Sequence, residues 1–374
     1  MTPAMTPQMP ADTAGSVQCI ILNWRTAEMT LRSVEAALTA MAGIAGGITV
    51  VDNASGDGSF EIIRDAVITR GWQRVEVIAA PRNGGFGAGN NVGIRAGLPA
   101  VFAHRPATLD GPAQALLAGD STRSDGSRWF TDYVYVLNSD AFPAPDAIAI
   151  LRDHLDRTPA AGFAGSHIHG EDGETHLTTF RFPSALSELE GAMRFGPVSR
   201  RLQNHAVPRA LPDSGAPVQV DWLAGASLMM RRGALEKIGL FDEVFFLYFE
   251  ETDLCLRLNR AGWQVHYLPD SHVMHIGSVS TGMKKWARVP SYWFNSRWHY
   301  FLKNHGRLGA FAATAAHLAG GAFHRLRCAV TRKTPADPPH FWRSLACHDL
   351  RAALRPAQTP SEFAPLPESR HARL

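Results

Sequence analysis

The sequence predicts an α/β protein whose mainly parallel sheet is flanked by helices. From Val17 onward, short apolar runs alternate with longer helical patterns, the order that successive βαβ units produce. Each run is almost continuously apolar instead of alternating, as a sheet covered on both faces requires. In 374 residues, 45% hydrophobic, 9% aromatic and 19% charged, there is enough apolar surface for a large core, which excludes a disordered or fibrous chain.

The elements follow in order. Strands are expected at 17–22, 48–52, 75–79 and 133–137, with helices at 26–41, 59–70 and 87–97 between them. Asp57 or Ser59 caps the second helix. Residues 99–131, rich in Pro, Gly, Ser, Asp and Arg, separate a helix from the strand that should follow it, and read as a surface insertion. A helix at 145–157 precedes a less regular region reaching about Pro217. Order returns at 218–231, with a helix around 250–261, a strand at 265–268 and an aromatic helical stretch at 292–301. No internal repeat is visible. The expected divisions are a loose leader at 1–16, a catalytic-type domain at 17–303 and a tail at 304–374.

The formal charge of +3 hides an asymmetry: residues 297–374 carry 12 Lys and Arg against 4 Asp and Glu, while residues 1–296 carry 25 against 30. A general nucleic-acid binder would place its basic surface on the folded body, so the arrangement argues for an acidic partner of the C-terminal end, such as an anionic membrane face. In the tail Leu308, Phe311, Ala315, Leu318, Ala322 and Leu326 keep helical spacing beside Arg307, Arg325, Arg327, Arg332 and Lys333. Cys19, Cys255, Cys328 and Cys347 form no CxxC pair, which suggests neither a disulfide framework nor a zinc site and fits a reduced cytoplasm. The first basic residue is Arg25, so no signal peptide is expected, and no apolar run reaches the roughly 18 residues of a spanning helix. The expected location is the cytoplasmic face of the membrane.

In such sheets, ligands bind beyond the carboxyl ends of the strands. Asn23 and Asp52 end the first two strands, and an Asp there can accept from a pyrimidine imide N–H or a ribose hydroxyl. The glycine-rich stretch 82–91 lets backbone approach a ligand, with Arg82, Asn83 and Gly85 beside a helix start. It has neither a dinucleotide fingerprint nor a phosphate loop, and a tight turn explains single glycines as well. Asn138 and Asp140, two apart around Ser139, point to the same side and could share one cation or one ribose. Glu250, Glu251 and Asp253 open a helix. They complement its dipole, and Asp253 can pair with Arg257, but a carboxylate beside the apolar segment 241–249 can also have a raised pKa and act as a general base. His266, His272 and His275 cluster around a strand exit as structural histidines, His275 gaining a metal role only if Asp140 binds a cation nearby.

The succession Ile21-Leu22-Asn23-Trp24, Val50 to Ser55, Asn83-Gly84-Gly85-Phe86 through Asn91-Val92-Gly93, Leu137 to Asp140, Asp221 to Ala226, Gly239 to Glu243, Phe245 to Arg257 and His275 to Ser278 resembles glycosyltransferase family 2. The resemblance runs from about Val17 to Lys303 and is nearest to rhamnosyltransferase-like and galactofuranosyltransferase-like bacterial members. It implies a GT-A fold with a helical C-terminal extension. It also implies inverting transfer from a dTDP- or UDP-sugar to a glycan or lipid-linked acceptor in cell-surface polysaccharide synthesis. By the same resemblance Asp52 holds the nucleobase, Asn83 and Asn91 shape the nucleotide pocket, and Asn138-Ser139-Asp140 takes the D-x-D position. Asp140 then binds Mg²⁺ or Mn²⁺ with His275 a further ligand. Glu251, Glu250 or Asp253 supplies the base, and Trp222, Gly225 and Ala226 face the acceptor. Two other readings are a non-catalytic sugar-nucleotide sensor and another nucleotide-using α/β enzyme, the latter disfavoured because the first strand ends in Asn23-Trp24-Arg25 and not in a glycine-rich loop.

Overall fold

The computed structural model describes residues 15–97, 131–210, 215–277, 288–335 and 337–354. The expected leader before residue 15, nearly all of the 99–131 insertion, Ser278 and the tail beyond 354 lie outside the described residues.

Strand β1 (Val17–Asn23), helix α1 (Ala27–Ala40), β2 (Gly46–Asp52), α2 (Ser59–Thr69), β3 (Val75–Ala79), α3 (Gly85–Gly97) and β4 (Tyr133–Asn138) match the expected elements within two residues at each end. They are followed by β5 (Ala141–Pro143), α4 (Ala147–Arg157), β6 (Ala161–His169), β7 (Thr179–Phe180), α5 (Ala185–Met193), α6 (Gly196–Arg201) and β8 (Val218–Val220). The chain continues through β9 (Trp222–Leu223), β10 (Ser227–Arg231), α7 (Arg232–Ile238), α8 (Glu250–Arg260), β11 (Gln264–His275), α9 (Ser291–Thr331) and α10 (Phe341–Ala353).

One sheet runs in the order β3-β2-β1-β4-β10-β6-β11-β5, with β8 also paired to β11. Strands β1, β2, β3, β4, β6 and β11 share a direction while β5, β8 and β10 oppose it, so the sheet is mostly parallel. Successive strand residues face opposite sides. Cys19, Ile21, Tyr133, Tyr135 and Leu137 pack with Leu31 and Val34 of α1, Met41 just after it, and Leu151 and Leu155 of α4. Ile20, Val134 and Val136 pack on the other side with Ile94, Leu235, Leu254 and Leu258 of α3, α7 and α8. Between the layers a buried hydroxyl chain crosses four strands, from Tyr135 through Ser227 and Ser166 to Ser271, which donates to the Ala147 carbonyl.

The first connections place β2 and β3 on one side of β1 and β4 on the other. The strand order therefore reverses at the β1/β4 border, where an open α/β sheet has its ligand crevice. Helix α9 covers the second half of the molecule and is kinked at Gly306 (φ 71°, ψ 179°), crossing the expected 303/304 boundary. Arg297 is fully buried inside it, donating to Glu188 of α5 at 2.9 Å and to Asp349 of α10 at 3.0 Å. Those bonds tie three helices into the body.

Candidate active site

Asn23 and Asp52 sit side by side at the carboxyl ends of β1 and β2, both buried, because the two strands pair in register up to those residues. The Asn23 amide donates to Asp52 Oδ1 at 2.7 Å and to Ser55 Oγ at 3.2 Å. Its oxygen accepts from Thr26 N–H, Thr26 Oγ1 and Thr30 Oγ1. Every hydrogen-bonding position of this amide is thus used within the fold, and it fixes Asp52 instead of facing a ligand. Asp52 also accepts from Ser55 Oγ at 2.6 Å and from Ser55 N–H at 3.0 Å. A carboxylate offers about four acceptor positions, so one on Oδ2 is left. Arg25 and Ala54 flank the pair with left-handed backbone (φ 58° and 52°), a conformation that collects at functional turns.

Asn53 reaches the glycine-rich loop: its amide donates to Asn83 Oδ1 at 3.0 Å and to the Gly85 carbonyl at 3.2 Å. Gly85 has φ 87°, and a Cβ there would lie 1.7 Å from the Phe246 carbonyl oxygen, so only glycine admits this approach. The Phe86 N–H donates to that same carbonyl at 2.9 Å. Arg82 is exposed at the rim. Asn91 turns elsewhere: its amide donates to the Phe241 carbonyl and Glu243 Oε1, and its oxygen accepts from Phe241 N–H, all within 3.1 Å. Three of its four hydrogen-bonding positions go to holding the 241–243 segment on α3.

At the end of β4, Asp140 Oδ1 lies 3.1 Å from His275 Nε2, and the Asn138 amide nitrogen 3.3 Å from the same imidazole nitrogen. The β11–β5 pairing sets this, placing His275 opposite Ala141, while the Ile276 N–H donates to the Asp140 carbonyl. Ser139 Oγ is 3.3 Å from Thr26 Oγ1, so it faces α1. Among the described residues no three His, Cys, Asp or Glu side chains form a metal group. One carboxylate and one amide, both within hydrogen-bonding distance of one imidazole, suit a hard cation whose remaining ligands are diphosphate oxygens and water, not an all-protein cage.

Glu250 and Glu251 start α8 after two consecutive aromatic residues in left-handed conformation, Tyr248 and Phe249, both at φ 70°. Backbone of this kind costs about 1–3 kcal/mol per residue and persists only where packing dictates it. Phe249 is clamped against Trp293 and Tyr300, Phe246 against Tyr292, and Ser296 Oγ donates to the Leu247 carbonyl, all from α9. The strained turn buries Glu250 and leaves Glu251 half-buried. Burial, and then the neighbouring Glu251 carboxyl, hold Glu250 well above the usual carboxylate range. Burial raises Glu251 as well. Its Oε1 accepts from the Gly225 N–H at 3.4 Å, while Oε2 of each acid is buried without a hydrogen-bond partner. A Cβ on Gly225 would meet the Phe86 ring at 2.9 Å and Glu251 Oε1 at 3.5 Å, so the glycine keeps this corner open.

Asp253 is different. It accepts from Arg257 and Lys303 at Oδ2 and from Asn304 at Oδ1, at 2.8, 2.9 and 3.1 Å, and joins α8 to α9 instead of offering a lone pair to a substrate. Trp222 stacks on Phe180 at 4.2 Å and donates to the Arg181 carbonyl, so one ring face is already covered. Ala226 is buried and its carbonyl accepts from the Asn138 N–H at 3.1 Å. This bond joins the two halves of the site: Asn138 meets Ala226, Gly225 immediately precedes Ala226, and the Gly225 amide holds Glu251. The residues the sequence left unassigned are Ser55, Thr26 and Thr30, which support Asp52, together with the Phe246 carbonyl. Their side-chain types carry no signal for that role, although the nearness of Ser55 to Asp52 in sequence was visible.

The model of "Glycosyltransferase like family 2" matches residues 14–307, and the chain belongs to that family. Its sheet and flanking helices have the GT-A arrangement expected, with the helical C-terminal extension. The N-acetylglucosaminyl-diphospho-decaprenol L-rhamnosyltransferase of Mycobacterium tuberculosis is 35% identical over 168 residues, 44% of this chain and 52% of that protein. Rhamnosyltransferase WbbL of Escherichia coli is 43% identical over 56 residues, 15% of this chain and 21% of that protein. The matched part thus spans about half the length of the first relative and a smaller share of the second. The mannosyltransferase PcManGT of Pyrobaculum calidifontis, solved with GDP-Man and Mn²⁺, aligns over 94% of this chain and 90% of that one at 14% identity and a TM-score of 0.44. Among the described residues no helix is long and apolar enough to cross a membrane.

Proposed function

We propose that the protein is an inverting sugar transferase. It moves rhamnose or a related hexose from a dTDP- or UDP-sugar to a hydroxyl of a glycan or lipid-linked acceptor in cell-surface polysaccharide synthesis. The observation that carries this reading is the contact path from Asp140 and Asn138 through Ala226 and Gly225 to the half-buried Glu251, which would link a cation anchor to a base. Family membership and the two rhamnosyltransferase relatives support the choice of sugar.

Asp52 takes the base imide or a ribose hydroxyl with its remaining acceptor position, held in place by Asn23 and Ser55. The Asn53–Asn83 pair and Gly85 shape the wall beside it. Asp140 and His275 would hold Mg²⁺ or Mn²⁺, which when bound offsets charge on the diphosphate. Glu251 is the base. Its raised proton affinity favours taking up a proton, and its Oε2 has no internal partner to give up. The acceptor oxygen loses its proton to Glu251 as it attacks the anomeric carbon. The bond from that carbon to the diphosphate oxygen breaks, and the configuration inverts.

The test is to incubate purified protein with a panel of dTDP-, UDP- and GDP-sugars and a polyprenyl-diphosphate N-acetylglucosamine acceptor, then assign the product anomer by NMR. Asp140→Ala and Glu251→Gln should each lower transfer by about 10²–10⁴. Unchanged transfer in both variants, or a retained anomer, would end the proposal.

A further inference from the structure

Beyond the Gly306 kink, α9 divides cleanly between two faces. Ala310, Ala313, Thr314, Gly320, Gly321, His324 and Cys328 are buried, and Gly320 lies so close to α5 that a Cβ would be 2.6 Å from the Leu189 carbonyl. On the opposite face Leu308 (86% exposed), Leu326 (66%) and Val330 (77%) project outward and Phe311 and Phe323 each show part of a ring whose other side touches Trp298 or Phe195, with Ala315, Ala319 and Ala322 filling the gaps between them. At 1.5 Å per residue the stripe is about 33 Å long. It is the kind of contiguous apolar surface that marks an interaction site.

The charge around it selects the partner. From Arg307 to Lys333 the chain contains no Asp or Glu. Arg307 stands at one end and Arg332 and Lys333 at the other, all exposed. Arg200 and Arg201 are exposed on α6, the helix whose preceding Phe195 touches Phe323 of α9 with ring centroids 5.5 Å apart. Two copies packed stripe to stripe would set cations against cations in either orientation. An anionic bilayer meets both features, and α9 is not apolar enough to cross one.

We propose that this face of α9 lies flat in the headgroup region of an anionic membrane, with Phe311, Phe323 and Leu326 inserted and the five cations on phosphates. The same helix, before its kink, clamps the strained turn that carries Glu250 and Glu251. Docking therefore fixes the acid pair at a set height above the lipid.

The inference is measured without any sugar substrate, so its failure is separable from that of the transfer reading. Full-length protein is floated with vesicles of 30% phosphatidylglycerol in phosphatidylcholine and with pure phosphatidylcholine. The protein should float with the anionic vesicles, less so at high salt, and the double variant Phe311→Glu/Leu326→Glu should lower the bound fraction at least tenfold while its circular dichroism stays unchanged. No binding to anionic vesicles, or equal binding by the double variant, overturns the proposal. So does light scattering that shows a wild-type dimer turned monomeric by the two substitutions, which would assign the stripe to a second copy.

Discussion

Replacing Arg297 with Met removes the guanidinium that joins α5, α9 and α10 while keeping much of its volume. The Arg297 side chain is 1% exposed, that of Glu188 13% and that of Asp349 2%. Two carboxylates would lose their cation in a site closed to water. His317 still contacts Glu188, and Thr314 and His348 still contact Asp349, so neither acid is stripped of every partner. Breaking a buried ion pair from one side costs about 3–5 kcal/mol. At about 2–4 °C per kcal/mol for a domain of this size, the melting temperature should fall by roughly 6–20 °C.

The loss should depend on pH, with a definite sign. Burial alone would raise the Glu188 pKa, but Arg297 and then His317 outweigh it and hold that carboxyl below its usual range. A lowered carboxylate contributes stability above its unfolded pKa and loses it as pH falls through the folded value. In the Met variant burial acts with less opposition, so the acid is ionised at a cost near pH 7.5 and relieved by protonation near pH 4.5. The gap in melting temperature between wild type and variant, read by differential scanning fluorimetry, should therefore be widest at pH 7.5 and narrow towards pH 4.5. Arg297→Lys keeps the charge without the fork and should fall between the two. A loss under about 3 °C at pH 7.5, or a gap that does not change with pH, would refute the reasoning.

Glu250→Gln should stabilise the protein at pH 8, because a carboxyl whose folded pKa is raised penalises folding as pH climbs above its unfolded value. Each pKa unit relieved is worth about 1.4 kcal/mol, and the two melting temperatures should converge near pH 4.5. A variant less stable than wild type at pH 8 would contradict this. Gly85→Ala meets both a left-handed φ and the Phe246 carbonyl, and should cost roughly 3 kcal/mol or more by urea denaturation. Gly56→Ala is the control: with φ 65° and nothing within 4 Å it should cost only about 1 kcal/mol.

The first half of the sheet was legible because β1, β2, β3 and β4 are short apolar runs whose neighbours in space are also neighbours in the βαβ order. Strand β6 is not legible in the sequence, which reads as irregular there. Its sequence Ala161–His169 contains Gly162 and Gly165, where a Cβ would come within 2.7 Å of Leu258 and Leu223, so contacts from remote elements chose residues that look unlike a strand. The same distinction separates the site residues. Residue type with a place at a strand end, or for Glu251 at a helix start, nominates Asp52, Asp140 and Glu251 as candidates, but Asn91 is committed to Phe241, 150 residues away, a partner that no local pattern reveals. Asp253 was half legible: its bond to Arg257 follows from i, i+4 spacing, while Lys303 and Asn304 reach it only because α9 folds back over α8. In the tail, helical spacing placed Leu318 on the same stripe as Leu308 and Leu326. It is half-buried beside Phe294 and Phe341, and its carbonyl accepts from Trp342.

The acid pair and the C-terminal helices depend on one another. Two adjacent aromatic residues in left-handed conformation cannot hold themselves, since an isolated turn would relax to the preferred region at a gain of about 1–3 kcal/mol per residue. What resists is the ring cluster from Tyr292, Trp293 and Tyr300 and the Ser296 hydroxyl on the Leu247 carbonyl, all on α9. Helix α9 is in turn located by Arg297, Lys303 and Asn304 through acids on α5, α8 and α10. The family match ends at residue 307, one residue past the kink, which is where α9 stops bracing the turn and begins its exposed stripe. A chain cut at 303 should therefore lose transfer as well as vesicle binding, because it removes Asn304 from Asp253 and α10 from Arg297. The Phe311→Glu/Leu326→Glu variant should lose vesicle binding alone, with donor hydrolysis in solution as the readout that separates them.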